Sequence, residues 1–185
     1  MSKYIPKKVA LSVYDIDYNE LYASGKKIIL FDLDNTLISY DEDLPSKKLI
    51  DLGTKLLQIG FKVYIISNNK GKRITNFVRS FPVTGYKEKM KKPFAYKIKK
   101  FLKESNYQNL EEIVMIGDQI LTDIVCANKV GIDSILVKSI SRKSEMIYTT
   151  INRLRGPLVL RKYARKNPQY ANKIYEIIKK EKNNG

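Results

Sequence analysis

Four short apolar runs constrain this chain more than anything else in it: IILF at 28–31, VYII at 63–66, IVMI at 113–116 and ILV at 135–137. They are rich in β-branched residues, and none alternates apolar with polar. That is the pattern of strands covered on both faces, as in a parallel sheet. Parallel strands need long crossovers, and helical stripes fill the intervals. Pro45 opens one helix in its first turn, with Leu49, Leu52, Leu56 and Leu57 as its stripe and Gly60 as its stop. A second follows Gly71 through Ile74, Phe77 and Val78. A third opens after Pro93 with Phe94, Ile98, Phe101 and Leu102, and a fourth runs from near Thr122 to Gly131 with Ile124, Val125 and Ala127. The order predicts an α/β domain on a doubly wound, Rossmann-like, mostly parallel sheet.

A length of 185 residues fits one such domain with a tail. We expect a sheet domain over residues 1–137, its core at 26–137, and a basic, mostly helical extension over 138–185 packed on it. The extension carries Ile147, Ile151 and Leu154 on one face, then Leu158, Val159 and Leu160, then Ile174, Ile177 and Ile178. The net charge is +16, and residues 138–185 hold 13 Lys/Arg against 3 Asp/Glu, so ten of those charges fall at one end. Such a surplus points to a polyanionic partner. No apolar run is long enough to cross a bilayer, and the first twenty residues, broken by Pro6 and three acids, read as neither a signal nor a transit peptide. One cysteine, Cys126, permits no internal disulfide, which suits a reducing cytosol, and its setting in DIVCANKVG reads as a small buried hydrophobe. There is no histidine, so acid–base chemistry must fall to other side chains.

Ligands of an open parallel sheet bind at the carboxyl ends of its strands. The first run ends in Asp32 and Asp34 of DLDNT, the second in SNN at 67–69, and the third in Gly117-Asp118, with Asp123 a turn later in GDQILTD. Lys91-Lys92 precede Pro93 ahead of the third strand. Taken singly, each cluster has an ordinary explanation: a helix cap, a polar loop, a turn in a lysine-rich chain. Together, at one sheet edge, they are what phosphoryl transfer through a carboxylate needs. A divalent cation held by Asp32, Asp118 and a backbone carbonyl would neutralise the acids and polarise a phosphate oxygen. One carboxylate of the first pair would attack phosphorus while the other ferries protons, and Ser67 and Lys92 would hold phosphoryl oxygens.

These four motifs, in this order, resemble those of the haloacid dehalogenase (HAD) superfamily of aspartate-dependent phosphatases. The resemblance spans about 26–137. It implies Asp32 as nucleophile, Asp34 as general acid/base, and Ser67, Asn68 and Lys92 as phosphate ligands. It further implies Mg²⁺ on Asp32, on Asp118 and on Asp34 through its carbonyl, with Thr36 and Asp123 in support, Asp123 orienting Lys92 or a metal-bound water. FDLDNTL, GDQILTD and the basic stretch from 141 to 163 are similar to the YqeG-type subgroup, whose relatives include mitochondrial phosphatidylglycerophosphate phosphatases.

Many members of that superfamily close a cap over small substrates. Here the intervals at 38–60 and 70–91 leave no room for one, so a capless site taking a phosphate on a bulky body is expected. With the basic extension, the reading is dephosphorylation of phosphatidylglycerophosphate to phosphatidylglycerol by a cytoplasmic protein in peripheral contact with an anionic membrane. The rivals are a phosphatase for a nucleic-acid terminus, one for phosphoproteins, and a non-catalytic module binding RNA or ribosomes. The tyrosines are scattered rather than grouped into a stacking platform, which weighs against nucleic acid.

Overall fold

The computed structural model describes residues 3–141. The basic extension therefore lies, from residue 142 on, outside the described residues. Six strands form one all-parallel sheet: β1 (Lys8–Ala10), β2 (Ile28–Phe31), β3 (Lys62–Ile66), β4 (Gly85–Lys87), β5 (Ile113–Gly117) and β6 (Asp133–Val137). Their spatial order is β1-β6-β5-β2-β3-β4. From β2 the chain winds outward through β3 to β4, then returns across β2 to build β5 and β6 on the other side. The switch point falls between β2 and β5, registered as Phe31 against Ile116, and a crevice opens there at the carboxyl ends.

Within each run, neighbouring side chains serve opposite faces, as the pleat requires. Ile29 and Phe31 of β2 join Val63, Ile65, Val114 and Ile116 beneath α1 (Tyr18–Ala23), α2 (Lys47–Ile59) and α3 (Lys72–Ser80). Ile28 and Leu30 face the other way, with Ile66, Ile113 and Met115 beneath α4 (Tyr96–Glu104) and α5 (Val125–Val130). Each large side chain buried this way contributes roughly 1.5–3 kcal/mol. Two covered faces explain why the strands read as unbroken apolar runs.

Three sequence expectations shift. The helix expected to open on Pro45 begins one step later: Ser46 is its cap, its hydroxyl accepting from the Leu49 N–H at 3.3 Å. Leu57, assigned to the buried stripe, is exposed, because Gly53 takes the sheet-facing slot against Phe81, where a Cβ would lie 2.7 Å from the ring. Phe94 is likewise exposed, since α4 starts only at Tyr96, after the turn that follows the cis Lys92–Pro93 peptide. Two edge strands, β1 and β4, and helix α1 join the four expected strands. Cys126 is buried, and desolvation pushes its thiol up to about 11, so it packs as an apolar residue.

No helix among the described residues is long and apolar enough to cross a membrane. Neither interval that holds a cap in capped enzymes of this architecture does so here. The interval after β2 is a loop and α2, and the interval after β3 is α3 and β4.

Candidate active site

Asp32 follows the last residue of β2, and its N–H donates to the Ile116 carbonyl of β5 at 2.9 Å, which fixes it at the switch point. Asn35 adopts the left-handed conformation, φ 62°, as asparagine tolerates. The turn this makes is closed by Leu37 and Ile38 N–H groups on the Leu33 carbonyl. It brings Thr36 back over the site, with Oγ1 3.4 Å from both Asp32 Oδ2 and Asp118 Oδ1. One hydroxyl proton can serve only one of them at a time, so Thr36 spans the two acids.

Asp118 follows β5, and Asp123 lies a turn on, in the wide π turn Ile120–Ile124 that leads into α5. Asp123 is held by the Gln119 N–H on Oδ2 at 3.1 Å and packs on the end of β5. A Cβ on Gly117 would lie 2.5 Å from Asp123 Cγ, so only glycine leaves space for this carboxylate. Opposite, Lys92 is buried; its ammonium donates to Asp32 Oδ1 at 2.6 Å and to the Ile66 carbonyl at 3.0 Å, and is ion-paired with Asp123 Oδ1 at 2.7 Å. Asn68 holds the Lys92 backbone from both sides, its Nδ2 donating to the carbonyl and its Oδ1 accepting the N–H. Ser67 is buried at the end of β3; its Oγ accepts the Asn69 N–H at 3.0 Å, which leaves the hydroxyl proton available to a ligand oxygen.

Carboxylate oxygens of Asp32, Asp118 and Asp123 lie within 4.8 Å of one another, and all three residues are buried. Burial raises the proton affinity of Asp32 well above the ordinary carboxylate range; Lys92 opposes this, and Asp123, Asp118 and Asp34 reinforce it. Lys92 stays charged, because Asp123 and Asp32 outweigh its desolvation and move its pKa up. One ammonium among three carboxylates leaves two negative charges, the complement of one divalent cation. An all-oxygen donor set of this kind fits a hard ion.

The structure thus gathers Asp32, Asp34, Thr36, Ser67, Asn68, Lys92, Asp118 and Asp123 at one sheet edge. The Asp34 carboxylate nevertheless lies outside the acid cluster. It faces α3, accepting Asn69 Nδ2 and Arg73 Nε, each at 2.9 Å. Any share Asp34 has in holding a cation therefore falls to its backbone carbonyl.

Arg73 was not legible as a site residue, and Asn69 was legible only as the last residue of the SNN cluster. Arg73 also bonds Asp43, the Ser39 carbonyl and the Glu42 carbonyl, tying the loop after β2 to α3. In KGKR it is one cation among many, and only the fold shows that it reaches Asp34. Because it positions that carboxylate, Arg73→Gln is expected to lower kcat on an aryl phosphate by about ten- to a hundredfold with little change in KM. Steady-state kinetics check this, and a rise in KM alone would mean that Arg73 serves substrate binding instead.

Residues 2–142 match the model of the mitochondrial PGP phosphatase family. The chain is 29% identical over 150 residues, 81% of its length, to "Probable phosphatase YqeG" of Bacillus subtilis (strain 168), covering 86% of that protein. An uncharacterized protein from Listeria monocytogenes serotype 4b shares the fold, with a TM-score of 0.50 at 18% identity over 65% of this chain and 84% of that one. With the four motifs brought to one edge of a parallel sheet and the family model spanning most of its length, the chain belongs to the mitochondrial PGP phosphatase family, a group of HAD-type phosphatases.

Proposed function

We propose that this protein is a Mg²⁺-dependent phosphomonoesterase that works through an aspartyl phosphate and converts phosphatidylglycerophosphate to phosphatidylglycerol at an anionic membrane surface. The observation that carries the chemistry is the buried cluster of Asp32, Asp118 and Asp123 around Lys92. Asp32, Asp118 and the Asp34 carbonyl would hold the ion, which supplies charge neutralisation and polarises a phosphoryl oxygen.

The residues divide the work as follows. An Asp32 oxygen bonds to phosphorus, the P–O bond to the alcohol breaks, and the leaving oxygen takes a proton from the Asp34 carboxyl. Asp34, now a carboxylate, takes a proton from water as the water oxygen attacks phosphorus. Inorganic phosphate leaves and Asp32 is regenerated. Lys92 gives up its contact with Asp32 Oδ1 to a phosphoryl oxygen while keeping Asp123 and the Ile66 carbonyl. The Ser67 hydroxyl donates to a second phosphoryl oxygen, where charge accumulates.

Two observations support the lipid substrate. The capless edge admits a phosphate that protrudes from a large body. Exposed apolar side chains also surround that edge: Leu11 follows β1, Leu44 follows β2, Ile140 follows β6, and Phe94 lies between β4 and α4, each 48–61% exposed. Such residues beside basic ones suit shallow insertion into an anionic interface. The Ile140 N–H donates to the Asn35 carbonyl at 3.0 Å, so the start of the basic extension is tied to the catalytic turn.

The test is a substrate panel in Mg²⁺: phosphatidylglycerophosphate in liposomes, a 3′-phosphorylated oligonucleotide and an aryl phosphate. The lipid is expected to have the highest kcat/KM. Faster release from the oligonucleotide would replace the lipid reading and leave the aspartyl chemistry intact.

A further inference from the structure

Beside the acid cluster, on the β3–β4 side, lies a groove of about 670 Å³ whose walls carry Lys70, Lys89, Lys91 and Lys97 and no acid. Its position is fixed by two residues shared with the catalytic centre. Asn68 lines it and brackets the Lys92 backbone; Asn69 lines it and bonds Asp34. The groove therefore begins one residue away from both carboxylates of the first motif.

The backbone that presents the lysines takes an uncommon shape. Lys89 and Lys91 both adopt the left-handed conformation, φ 53° and 55°. For residues with a Cβ this conformation is strained, and such strain concentrates at functional sites. It is imposed by bonds to the phosphate-binding strand end: Lys89 N–H to the Asn69 carbonyl at 3.1 Å and Met90 N–H to the Ser67 carbonyl at 3.0 Å. Met90 is buried between the two lysines, which are left exposed on the groove.

The charges there are largely uncommitted. Arg73 also lines the groove, but Asp34 and the loop after β2 occupy it. Lys97 Nζ donates to the Lys89 carbonyl. Among the described residues, the ammonium groups of Lys70, Lys89 and Lys91 have neither an ion pair nor a hydrogen bond. A concave wall of one sign raises the local concentration of an opposite charge.

We propose that this groove binds a second phosphate on the substrate, joined to the scissile monoester by a short polyol. The inference rests on the proposed phosphatase reading and deepens it. The chemistry recognised is a phosphomonoester and a phosphodiester on one small body, with Lys89 and Lys91 deciding between such a substrate and a plain monoester.

The experiment compares wild type with the Lys89→Gln/Lys91→Gln double variant on three substrates: an aryl phosphate, soluble deacylated headgroup (glycerophosphoglycerophosphate) and phosphatidylglycerophosphate in neutral vesicles. The double variant is expected to lose kcat/KM on the headgroup and on the lipid about tenfold or more beyond any loss on the aryl phosphate, chiefly through KM. Lys99→Gln/Lys103→Gln, which removes two exposed charges of α4 outside the groove, is expected to leave that selectivity as it is in wild type. Equal losses on all three substrates overturn the proposal. So does a loss seen on the lipid only, which would assign the lysines to the membrane. If wild type hydrolyses only the aryl phosphate, the lipid reading fails. The groove is then read from inhibition of that hydrolysis by the headgroup, and equal inhibition of wild type and double variant overturns it.

Discussion

Asp32→Asn is expected to lower kcat on any phosphomonoester by about 10⁴-fold or more while the protein remains folded. The amide is nearly the same size as the carboxylate, but it has no oxygen nucleophile to bond phosphorus. Stability should not suffer, since the carboxylate is buried and crowded by Asp123, Asp118 and Asp34, and only Lys92 favours its charge. The introduced amide can still accept from Lys92 through its carbonyl oxygen. Lys92 would keep Asp123 and the Ile66 carbonyl, so it is not left alone in the interior. The measurements are turnover of an aryl phosphate and the midpoint of thermal unfolding. Turnover within about tenfold of wild type would remove Asp32 as nucleophile. Lost turnover with a collapsed midpoint would make its role structural.

The fold was legible where both faces of the sheet are covered. Unbroken apolar runs mark β2, β3, β5 and β6 because each strand feeds two cores. Strands β1 and β4 were missed because each is three residues long and partly polar, KVA and GYK, at the sheet edges. Pairing partners settle such strands, and local pattern cannot. Leu57 and Phe94 show the same limit for helices: periodicity gives a face, but Gly53 against Phe81 and the turn before Tyr96 decide which residues that face buries.

The site was legible in its order of motifs, since each follows an apolar run and the carboxyl ends of parallel strands converge. The pairings across the site were less legible. The resemblance set Asp123 beside Lys92 or the metal, whereas nothing in the sequence shows that the Asp34 carboxylate turns to Arg73. The lysines of KEKMKK were visible as an excess, whereas the left-handed backbone that sets two of them on a groove was not.

Removal of divalent cations with EDTA is expected to abolish turnover, and adding back Mg²⁺ should raise the unfolding midpoint. At a concentration a hundred times its dissociation constant, a ligand that binds only the folded state adds about 2.7 kcal/mol, or about 5–11 °C for a chain of this size. The two negative charges left over by Lys92 are the reason for the affinity. Asp118→Asn should therefore lose most of the shift, whereas Asp34→Asn should keep it, because the Asp34 side chain lies with Asn69 and Arg73. The shift should also depend on pH. Without a cation, folded Asp32 binds its proton more tightly than the unfolded chain, whose value is 3.8. Stability from this group is then greatest at low pH and declines as pH rises from that value through the raised one. A cation displaces the proton, so its stabilising effect must grow over the same interval and be larger at about pH 8 than at about pH 5.5. Differential scanning calorimetry with and without Mg²⁺ at both pH values provides the check. A shift that is the same at both, or that survives Asp118→Asn, would mean that the ion binds elsewhere and that the buried acids are held by Lys92 and protons alone.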